Sequence, residues 1–490
     1  MRLQVFLSVG VLALSGCMTS PEMAVINNAA DAMGGKAAIQ GANTLIVEGA
    51  GEAFTLGQNT SPDAPLPRLI VTAFKKSIDF ANGKWRQERT QTAIAPGANP
   101  APQTQITALD GTVAFNVAAN GTATRASEQV SRDRHNELLH HPIGALRAAL
   151  AQGAQVTNAR KEGNDDAVDV VSGSDRFTLY ADSTSKLPSR VVTMSYNVNL
   201  GDVAIETAFG NYGDAGGMKL PGMLTSKTDT YVLAITNVSK NTVNGDVGDL
   251  AASAETKAAA PPVLTATITV EEAGKGLWYL TGQTHHSVLI EFSDHLALIE
   301  TPQNEVRAQA VIAKAKELKP DKPLTQVINT HHHFDHSGGI RAAVAAGLTI
   351  ITHEGNKAFY EAVVGRKHTM APDALAKNPK PLKIETVKDK YVLKDAMRTV
   401  ELYHIAGNLH GDTLLMVYLP AERILVQADV YTPPAANATA PAAFPFAPNL
   451  MDNIQKANLR VDRLLPIHGR MMPFADFRTA VQAETKKTEN

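Results

Sequence analysis

Four of the chain's 15 histidines lie between positions 331 and 336, in the stretch NTHHHFDHSGG. Residues two apart in an extended segment project to the same side, so His331 and His333 face one direction and His332 the other. The glycines that end the stretch predict a helix start, which places Asp335 and His336 at a strand-to-helix corner. A hydrolytic metal centre built on imidazole and carboxylate needs about three protein ligands per metal. The stretch therefore predicts one metal at the first pair and a second metal at the corner.

Cysteine ligands are excluded from such a centre. The chain has a single cysteine, Cys17, near its start, so it can form no intramolecular disulfide and the body of the protein has no thiolate. Only three histidines, His135, His140 and His141, precede residue 250. Metal chemistry based on imidazole is therefore expected in the second half of the chain.

The pattern His-x-His-x-Asp-His followed by Ser-Gly-Gly resembles the signature of the metallo-β-lactamase fold. That fold also requires a histidine after a strand, an acidic residue after a later strand, and a histidine at a strand end near the C-terminus. The chain supplies His410 in GNLHGDT, Asp429 after the apolar run RILVQA, and His468 in LLPIHG. Leu409 stands where the family often has glycine. The three residues occur in the expected order.

The resemblance implies a centre of two divalent metal ions. It assigns one metal to His331, His333 and His410, the other to Asp335, His336 and His468, and a bridging position to Asp429. Nitrogen and oxygen ligands favour zinc, although iron and manganese remain open. The resemblance also gives Asp335 a catalytic role, in which it orients the nucleophile and moves a proton to the leaving group.

Further histidines are expected near this centre. His286, His353 and His368 are candidates for contact with substrate or with a metal ligand, and a purely structural role is the alternative for each. His285 and His286 lie on an early predicted strand, and for one of them a place at the pocket mouth is the alternative to a purely structural role. His332 is expected to pack away from the metals. The segment from residue 431 to 450 follows the bridging carboxylate and is expected to cover the site.

Residues 18–250 are predicted to form a mainly antiparallel β domain. Short alternating segments separated by turns, such as ITALDGTVAFNV with its Asp-Gly turn, are typical of such a sheet. One helix is predicted from about Arg132 to Gln152, and the sequence His140-His141-Pro142 ends or kinks it. The pattern resembles the curved half-barrel of periplasmic lipoprotein carriers and their relatives.

Residues 251–262 are rich in alanine and proline and are predicted to be a linker. Strands and helices alternate in residues 263–490, and one helix is predicted from Ser337 to Ala346 with Ser337 as its N-cap. Together with the resemblance, these patterns predict an α/β fold class. An αββα metallo-β-lactamase sandwich is expected at the C-terminus, after a mainly antiparallel, half-barrel-like β domain.

Residues 1–17 resemble a bacterial signal peptide with a lipobox. A short basic start precedes an apolar run that is too short to span a bilayer, and the sequence LSGC follows. The resemblance implies cleavage before Cys17 and lipid attachment to its thiol, whereas an ordinary signal peptide is the alternative. Met18 then favours the outer membrane, facing the periplasm.

The formal net charge of −2 argues against a nucleic-acid partner. The expected partners are a small-molecule substrate and, through the lipid anchor, a membrane. Asp429 makes the chain resemble the thioesterase, lactonase and phosphodiesterase branches, because many β-lactamases of this fold have serine or cysteine there. We expect hydrolysis of an ester, lactone or thioester. The alternatives are β-lactam hydrolysis, or an apolar-ligand carrier with a vestigial metal site.

Overall fold

The computed structural model describes residues 20–94, 101–434 and 444–488. The chain combines an N-terminal domain built on one large antiparallel sheet with a C-terminal α/β domain built on two sheets. The predicted fold class is therefore confirmed. The predicted signal peptide and Cys17 lie outside the described residues, as does part of the segment predicted to cover the site.

The N-terminal domain begins with two helices, α1 (Pro21–Ala32) and α2 (Lys36–Gly41), and continues mainly as strands. Its strands are β1 (Thr44–Phe54), β2 (Arg68–Asp79), β3 (Lys84–Ala93), β4 (Gln103–Asp110), β5 (Val113–Val117), β6 (Ala123–Arg125), β7 (Gln155–Glu162), β8 (Asp165–Ser172), β9 (Asp175–Asp182), β10 (Pro188–Asn197), β11 (Gly201–Gly210), β12 (Gly213–Ala215), β13 (Met218–Leu220), β14 (Met223–Thr228) and β15 (Tyr231–Val243). Thirteen of them form one sheet in the order β6-β5-β4-β3-β2-β1-β15-β14-β11-β10-β9-β8-β7, and β12 pairs with β13. Neighbours such as β4 and β5 or β8 and β9 are joined by two-residue turns, which favour antiparallel pairing, and the strand pairs described in this sheet are all antiparallel.

One apolar core holds this domain together. It joins Trp85 and Leu109, from strands in one half of the sheet, to Val168 and Leu179, from strands in the other half. Ile26 of α1 packs among them. Residues from both halves of the sheet meet in one core because the sheet curves around the helices. A concave surface results, and it encloses a cavity of about 510 Å³.

The prediction of one continuous helix over residues 132–152 is wrong, although the predicted break at His140-His141-Pro142 is present. The structure has two helices there, α3 (Glu128–Asn136) and α4 (Pro142–Ala149). Pro142 lacks a backbone N–H and occupies the first turn of α4, where no such donor is needed. His141 caps this second helix by accepting the N–H of Ile143 at Nδ1.

The segment predicted to be a linker contains a short helix, α5 (Ala254–Ala258). The segment is held against the N-terminal sheet, since Asp110 accepts the N–H of Ala252 at 3.0 Å and pairs with Lys257 at 2.7 Å. Arg125 donates to carbonyls of the same segment. The exact domain boundaries stay a prediction.

The C-terminal domain has two sheets. The first has seven strands: β16 (Thr269–Gly274), β17 (Leu277–Thr281), β18 (Ser287–Glu291), β19 (Leu296–Ile299), β20 (Leu324–Ile328), β21 (Thr349–His353) and β22 (Lys383–Val387). The second has six: β23 (Lys390–Lys394), β24 (Thr399–His404), β25 (Leu415–Leu419), β26 (Ile424–Gln427), β27 (Arg463–Pro466) and β28 (Met472–Pro473). Strands β19 to β22 are parallel, and β26 is parallel to β27.

Helices cover the outer face of each sheet. They are α6 (Glu305–Leu318), α7 (Phe334–Ser337), α8 (Ile340–Ala346), α9 (Lys357–Gly365), α10 (Ala374–Lys377), α11 (Ala447–Lys456) and α12 (Phe474–Thr488), with a 3₁₀ turn at Glu354–Asn356. One core lies between the sheets, a second packs α6 and α8 on the first sheet, and a third packs α11 and α12 on the second. Three apolar layers between four layers of elements make an αββα sandwich.

The corner after β20 differs from its prediction. Ser337 is the last residue of α7 rather than the N-cap of a longer helix, and its hydroxyl donates to the carbonyl of His332 at 3.0 Å. Gly339 precedes α8 and lies so close to the carbonyl of Thr301 that a Cβ has no room. Within residues 20–94, 101–434 and 444–488, no helix has the length and apolarity that crossing a bilayer requires.

Candidate metal centre

The predicted ligands meet at one edge of the sandwich, where several strands end. Residues 331–336 follow β20, Asp429 follows β26 and His468 follows β27. Parallel strands end at the same edge of a sheet, so the side chains that follow them converge there. All seven predicted ligands lie in this region, and the structure sorts them into two clusters.

The first cluster consists of His331, His333, His410 and Asp429. Ligand atoms of these four residues lie within 4.8 Å of one another. The ring centroid of His333 is 4.5 Å from that of His331 and 4.6 Å from that of His410. His331 and His333 are fully buried, whereas His410 is partly exposed. This cluster is therefore open on the side of His410.

The second cluster consists of Asp335, His336, His468 and a residue that was not among the predicted ligands, His285. Their ligand atoms also lie within 4.8 Å of one another. The Nε2 atoms of His336 and His468 are 3.2 Å apart, and His285 Nε2 is 3.1 Å from Asp335 Oδ2. The corner thus brings a second group of nitrogen and oxygen donors beside the first.

Asp429 touches both clusters through its carboxylate. Its Oδ2 lies 2.9 Å from His410 Nε2 of the first cluster and 3.1 Å from His336 Nε2 of the second. Its Oδ1 lies 2.7 Å from His468 Nε2. The backbone of Asp429 has a φ of +64°, a left-handed conformation that is costly for a non-glycine residue. This turn after β26 places the carboxylate between the two clusters.

Hydrogen bonds to carbonyls fix which ring nitrogens carry lone pairs. His333 Nε2 donates to Asn59 O at 2.9 Å, and His468 Nδ1 donates to Thr284 O at 3.0 Å. A carbonyl accepts only, so these nitrogens carry the hydrogens and His333 Nδ1 and His468 Nε2 carry lone pairs. His333 Nδ1 is buried without a hydrogen-bond partner in the described part of the chain. Such a nitrogen is well suited to a metal ion.

Glu300, a fully buried carboxylate that supports the second cluster, was not identified by the sequence analysis. Its Oε1 accepts the N–H of Thr330 at 2.7 Å, and its Oε2 lies 3.3 Å from Asn329 Nδ2 and 3.5 Å from His336 Nδ1. Glu300 follows β19 with a φ of +68°. The Nδ1 side of His336 thus faces a carboxylate, and its Nε2 side faces the cluster.

Burial favours the neutral form of two imidazoles in the first cluster, His331 and His333. Burial lowers the pKa of His331 far below its ordinary value and lowers the pKa of His333 to about 3. His336 differs: burial opposes its charge, but Asp429 and Glu300 outweigh burial and raise its pKa well above the ordinary value. His336 therefore lies where positive charge is most favoured.

Neighbouring histidines keep the two aspartates of the site ionised. Burial opposes the charge of Asp429, but His336 and the hydrogen bonds of neighbouring rings hold its pKa well below the ordinary range. Burial likewise opposes the charge of Asp335, and a hydrogen bond from His285 together with His336 lowers its pKa. Neutral rings and anionic carboxylates are the states that bind a divalent cation.

The predicted donors fit two divalent cations of intermediate softness, such as zinc. Five imidazoles and two carboxylates converge in two groups, and the lone pair of the buried His333 Nδ1 has no other partner among the described residues. Three imidazoles or a mixture of imidazole and carboxylate suit zinc, and the site has no thiolate. The assignment of each residue to one metal stays a prediction.

The structure places the additional candidate histidines elsewhere. His286 packs edge-on against Tyr279 at 5.0 Å, and His353 accepts the N–H of Gly355 and lies 4.4 Å from His404. Neither belongs to the two clusters.

His368 lies against the N-terminal domain. Its ring centroid is 5.4 Å from that of Tyr196, and its Nδ1 is 3.6 Å from Asp373 Oδ2. His332 is buried, and its Nδ1 lies 3.2 Å from Thr413 Oγ1. Both histidines lie outside the two clusters.

The sequence alone did not decide whether His285 or its neighbour His286 faces the site. The start of β18 puts His286 on the same side as Val288 and Ile290, which point into the core between the sheets. His285 therefore points the other way, and its ring centroid is 4.1 Å from that of His468. The alternation of inward and outward side chains along β18 could have distinguished His285 from His286. Using it required knowing where the strand begins.

An apolar rim borders the open side of the first cluster. Leu409 is 61% exposed next to His410, and the Phe446 ring centroid is 5.6 Å from that of His410. Phe446 immediately precedes α11. Apolar side chains therefore border the opening beside His410.

Comparisons with known proteins agree with this architecture. Residues 280–460 match the family model described as the metallo-beta-lactamase superfamily. The C-terminal half therefore contains a metallo-beta-lactamase superfamily domain. The matched range includes both His285 and Asp429 but ends before His468, whose place in the site rests on the geometry.

Solved structures of similar fold include a metallo-beta-lactamase from Pontibacter korlensis, with 19% sequence identity, a TM-score of 0.35 and coverage of 45% of this chain and 99% of that chain. A metallo-beta-lactamase from Hirschia baltica shows 18% identity, a TM-score of 0.34 and coverage of 44% of this chain and 97% of that chain. No curated protein matches the chain.

Proposed function

We propose that this protein is a metal-dependent hydrolase of an ester, lactone or thioester substrate. The observation that carries the proposal is the position of Asp429, whose two carboxylate oxygens contact histidines of both clusters. A carboxylate between two groups of imidazoles is the arrangement of a two-metal hydrolytic site. A vestigial site is not expected to retain all seven donors in two converging groups.

Two divalent cations in these clusters would lower the pKa of a water molecule toward neutrality and polarise the substrate carbonyl. The chain's own residues prepare that chemistry. The neutral rings of His331 and His333 offer lone pairs, and the burial of both rings excludes competing water. Asp429 supplies a negative charge that both clusters share.

Asp335 is the proposed catalytic carboxylate. Its side chain is 37% exposed, so it faces the opening while His336 behind it is fully buried. Its Oδ2 contacts His285, and its depressed pKa keeps it anionic at neutral pH. An anionic carboxylate accepts a hydrogen bond from the attacking water, orients it, and passes its proton towards the leaving group.

The choice of substrate class rests on Asp429 and on the rim. An aspartate at this position resembles the thioesterase and lactonase branches, and the exposed Leu409 with Phe446 suits an acyl substrate that carries an apolar group. β-Lactam hydrolysis is the alternative substrate class, because residues 280–460 match the metallo-beta-lactamase superfamily model.

Metal analysis combined with a substrate panel tests the proposal. Purified protein is expected to contain two divalent ions per chain and to hydrolyse a thioester, a lactone or an aryl ester faster than a chromogenic β-lactam or a phosphodiester. Asp429→Asn should lower kcat/KM by more than the roughly 10- to 100-fold that loss of an outer partner costs. Asp452→Asn, an exposed substitution on α11, is the matched control. Undiminished hydrolysis by metal-stripped protein would contradict the mechanism.

We further propose that Cys17 is lipid-modified and that the protein is anchored in a bacterial envelope, facing the periplasm from the outer membrane. The sequence LSGC after an apolar run supports this proposal. Labelling of the expressed chain with an alkyne fatty acid should depend on Cys17 and disappear in Cys17→Ser. Labelling of both the wild-type protein and Cys17→Ser, or of neither, would contradict lipid attachment to Cys17.

A second candidate activity is ligand binding by the N-terminal cavity. Its walls include Phe74 and Leu224, and two buried donors face it without a hydrogen-bond partner in the described part of the chain, Arg89 Nε and His141 Nε2. His141 Nδ1 accepts the N–H of Ile143, so Nε2 carries the ring hydrogen. Apolar walls with buried donors suit an amphipathic molecule with an oxygen-rich head, such as a fatty acid.

Binding of a fluorescent fatty acid to the full chain tests this second candidate. One molecule per chain should bind, oleate should displace it, and Arg89→Leu should weaken binding. Absence of saturable binding would reject the cavity as a ligand site and leave the proposed hydrolase activity unaffected.

A further inference from the structure

A loop of the N-terminal domain reaches the metal-ligand motif of the C-terminal domain. Residues 55–67 connect β1 to β2. Three carbonyls of this loop accept hydrogen bonds at the site: Gly57 O from Phe334 N at 3.1 Å, Asn59 O from His333 Nε2 at 2.9 Å, and Thr60 O from Asp412 N at 2.6 Å. The loop therefore contacts both the corner after β20 and the segment that carries His410.

One side chain of the loop contacts the proposed catalytic carboxylate. Gln58 Nε2 donates to Asp335 Oδ1 at 2.9 Å. Asp335 Oδ2 then faces His285 Nε2 at 3.1 Å and His336 Nε2 at 3.8 Å. Because Gln58 holds one oxygen, the other oxygen is turned towards the second cluster.

The loop has an ordered structure of its own. Asn59 is buried, and its side-chain amide donates to the carbonyls of Ser61, Pro62 and Ala64. The ends of the loop are joined by the bond from Thr55 N to Pro67 O at 2.9 Å. These bonds predispose the loop to present its carbonyls in one direction, so it does not need the metal domain to define its shape.

The approach of the loop is as close as the backbone allows. Gly57 has a φ of +71°, and a Cβ at this position would overlap the ring of Phe334. On the opposite side, Asn199 Nδ2 from the turn between β10 and β11 donates to the carbonyl of Phe334 at 3.1 Å. Both backbone polar groups of Phe334, which lies between His333 and Asp335, are thus satisfied by the N-terminal domain.

The geometry points to a metal centre that both domains build, with Gln58 and the Asn59 carbonyl as positioning groups for Asp335 and His333. The Asn59 carbonyl selects the tautomer of His333 whose Nδ1 lone pair faces the first cluster. Gln58 sets the rotation of the Asp335 carboxylate beside the second cluster. This inference rests on the proposed function only in the catalytic role of Asp335, because positioning of metal ligands is measurable without a substrate.

The test uses two loop variants with different expected effects. Gln58→Ala removes only the donor to Asp335, so the affinity for the second metal should fall by about 10- to 100-fold while the first metal stays tightly bound. Gly57→Ala displaces the loop and withdraws the Asn59 carbonyl as well, so both metals should bind more weakly. Asp63→Ala, an exposed change on the same loop, is the matched control and should leave both affinities unchanged.

Metal affinity is measured on the full chain by competition with a chelator, and the visible spectrum of the Co²⁺-loaded protein reports the ligand geometry. Thermal unfolding of metal-free protein separates a lost ligand position from a lost fold. Wild-type affinity and an unchanged Co²⁺ spectrum in Gln58→Ala would overturn the inference. If wild-type protein binds two metals but hydrolyses no substrate in the panel, the proposed function fails while this test remains decisive.

Discussion

The substitution Glu300→Gln tests whether Glu300 orients the proposed metal ligand His336. The buried carboxylate accepts the N–H of Thr330 at 2.7 Å with Oε1 and faces Asn329 Nδ2 and His336 Nδ1 with Oε2. Glutamine keeps the shape but replaces one acceptor oxygen by an NH₂ group. The amide has two orientations, and each of them conflicts with the surrounding donors.

If the amide oxygen takes the Thr330 N–H, the NH₂ group points at His336 Nδ1. His336 must then accept at Nδ1, so its hydrogen moves to Nε2 and the lone pair that faces the cluster is lost. If the amide flips, two donors meet at Thr330 in a buried site, which costs about 1–3 kcal/mol. The first orientation takes a correctly prepared ligand from the second metal, and the second orientation destabilises the buried site that holds this ligand.

The expected result is a rise in the dissociation constant of the second metal by about 10- to 100-fold, or about 1.4–2.8 kcal/mol. The first metal should be retained, since His331, His333 and His410 do not contact Glu300. The assay is chelator competition, with bound metal counted by mass spectrometry. Glu317→Gln on the exposed side of α6 is the control. Wild-type affinity for both metals in Glu300→Gln would refute the proposed role of this carboxylate.

Three further predictions test other parts of the molecule. His331→Ala should lose the first metal and hydrolysis, whereas His332→Ala should keep both metals and lower the unfolding free energy by about 2–4 kcal/mol, as chelator competition and urea unfolding will show. The buried His141, whose pKa is lowered to about 3, stays neutral in the fold, so the unfolded chain takes up a proton first as pH falls below about 6.5. Wild-type protein should therefore lose about 2 kcal/mol more unfolding free energy between pH 7.5 and 5 than His141→Asn, which keeps a helix cap; equal losses would contradict this. Arg341→Met leaves the buried carboxylate of Asp373 without its cationic partner and should lower the unfolding free energy, measured with urea, by about 3–5 kcal/mol. Asp373→Asn removes the buried negative charge itself and should lower the unfolding free energy by less.

The metal-ligand set could be predicted from the sequence because its members either lie in one short motif or follow an apolar strand. Residues 331–336 are close together whatever the fold, and Asp429 and His468 each come directly after a buried strand. Strands that run parallel bring their ends together, so strand ends are places where distant residues meet. The resemblance to a known motif supplied seven candidate donors, but it missed His285, and the assignment of each donor to one metal stays a prediction.

Local details that depend on backbone geometry were less predictable. Ser337 looked like an N-cap because serine commonly caps helices, but its hydroxyl is used by the carbonyl of His332. The choice between His285 and His286 depended on the first residue of β18, and strand boundaries are the weakest part of a prediction from sequence. Glu300 had no motif at all, because a buried carboxylate after a strand is recognisable only when its partners are known.

The contribution of the N-terminal domain to the metal centre was the least visible in the sequence, and its chemistry explains why. Three of the contacts are backbone carbonyls, at Gly57, Asn59 and Thr60, and every residue type has a carbonyl. Asn59 and His333 are separated by 274 positions, so no local spacing links them. Two residues mark the contact. Gln58 contributes a side-chain donor, and Gly57 allows a close approach because it has no Cβ. Neither residue type is associated with metal sites. A ligand motif can therefore reveal which atoms bind a metal, while the groups that set the tautomer and rotation of those atoms lie in a domain that carries no metal motif of its own. For this chain, substitutions at Gln58 or Gly57 are consequently expected to change metal affinity more than substitutions at His353 or His368, which the sequence analysis had considered as candidates near the site.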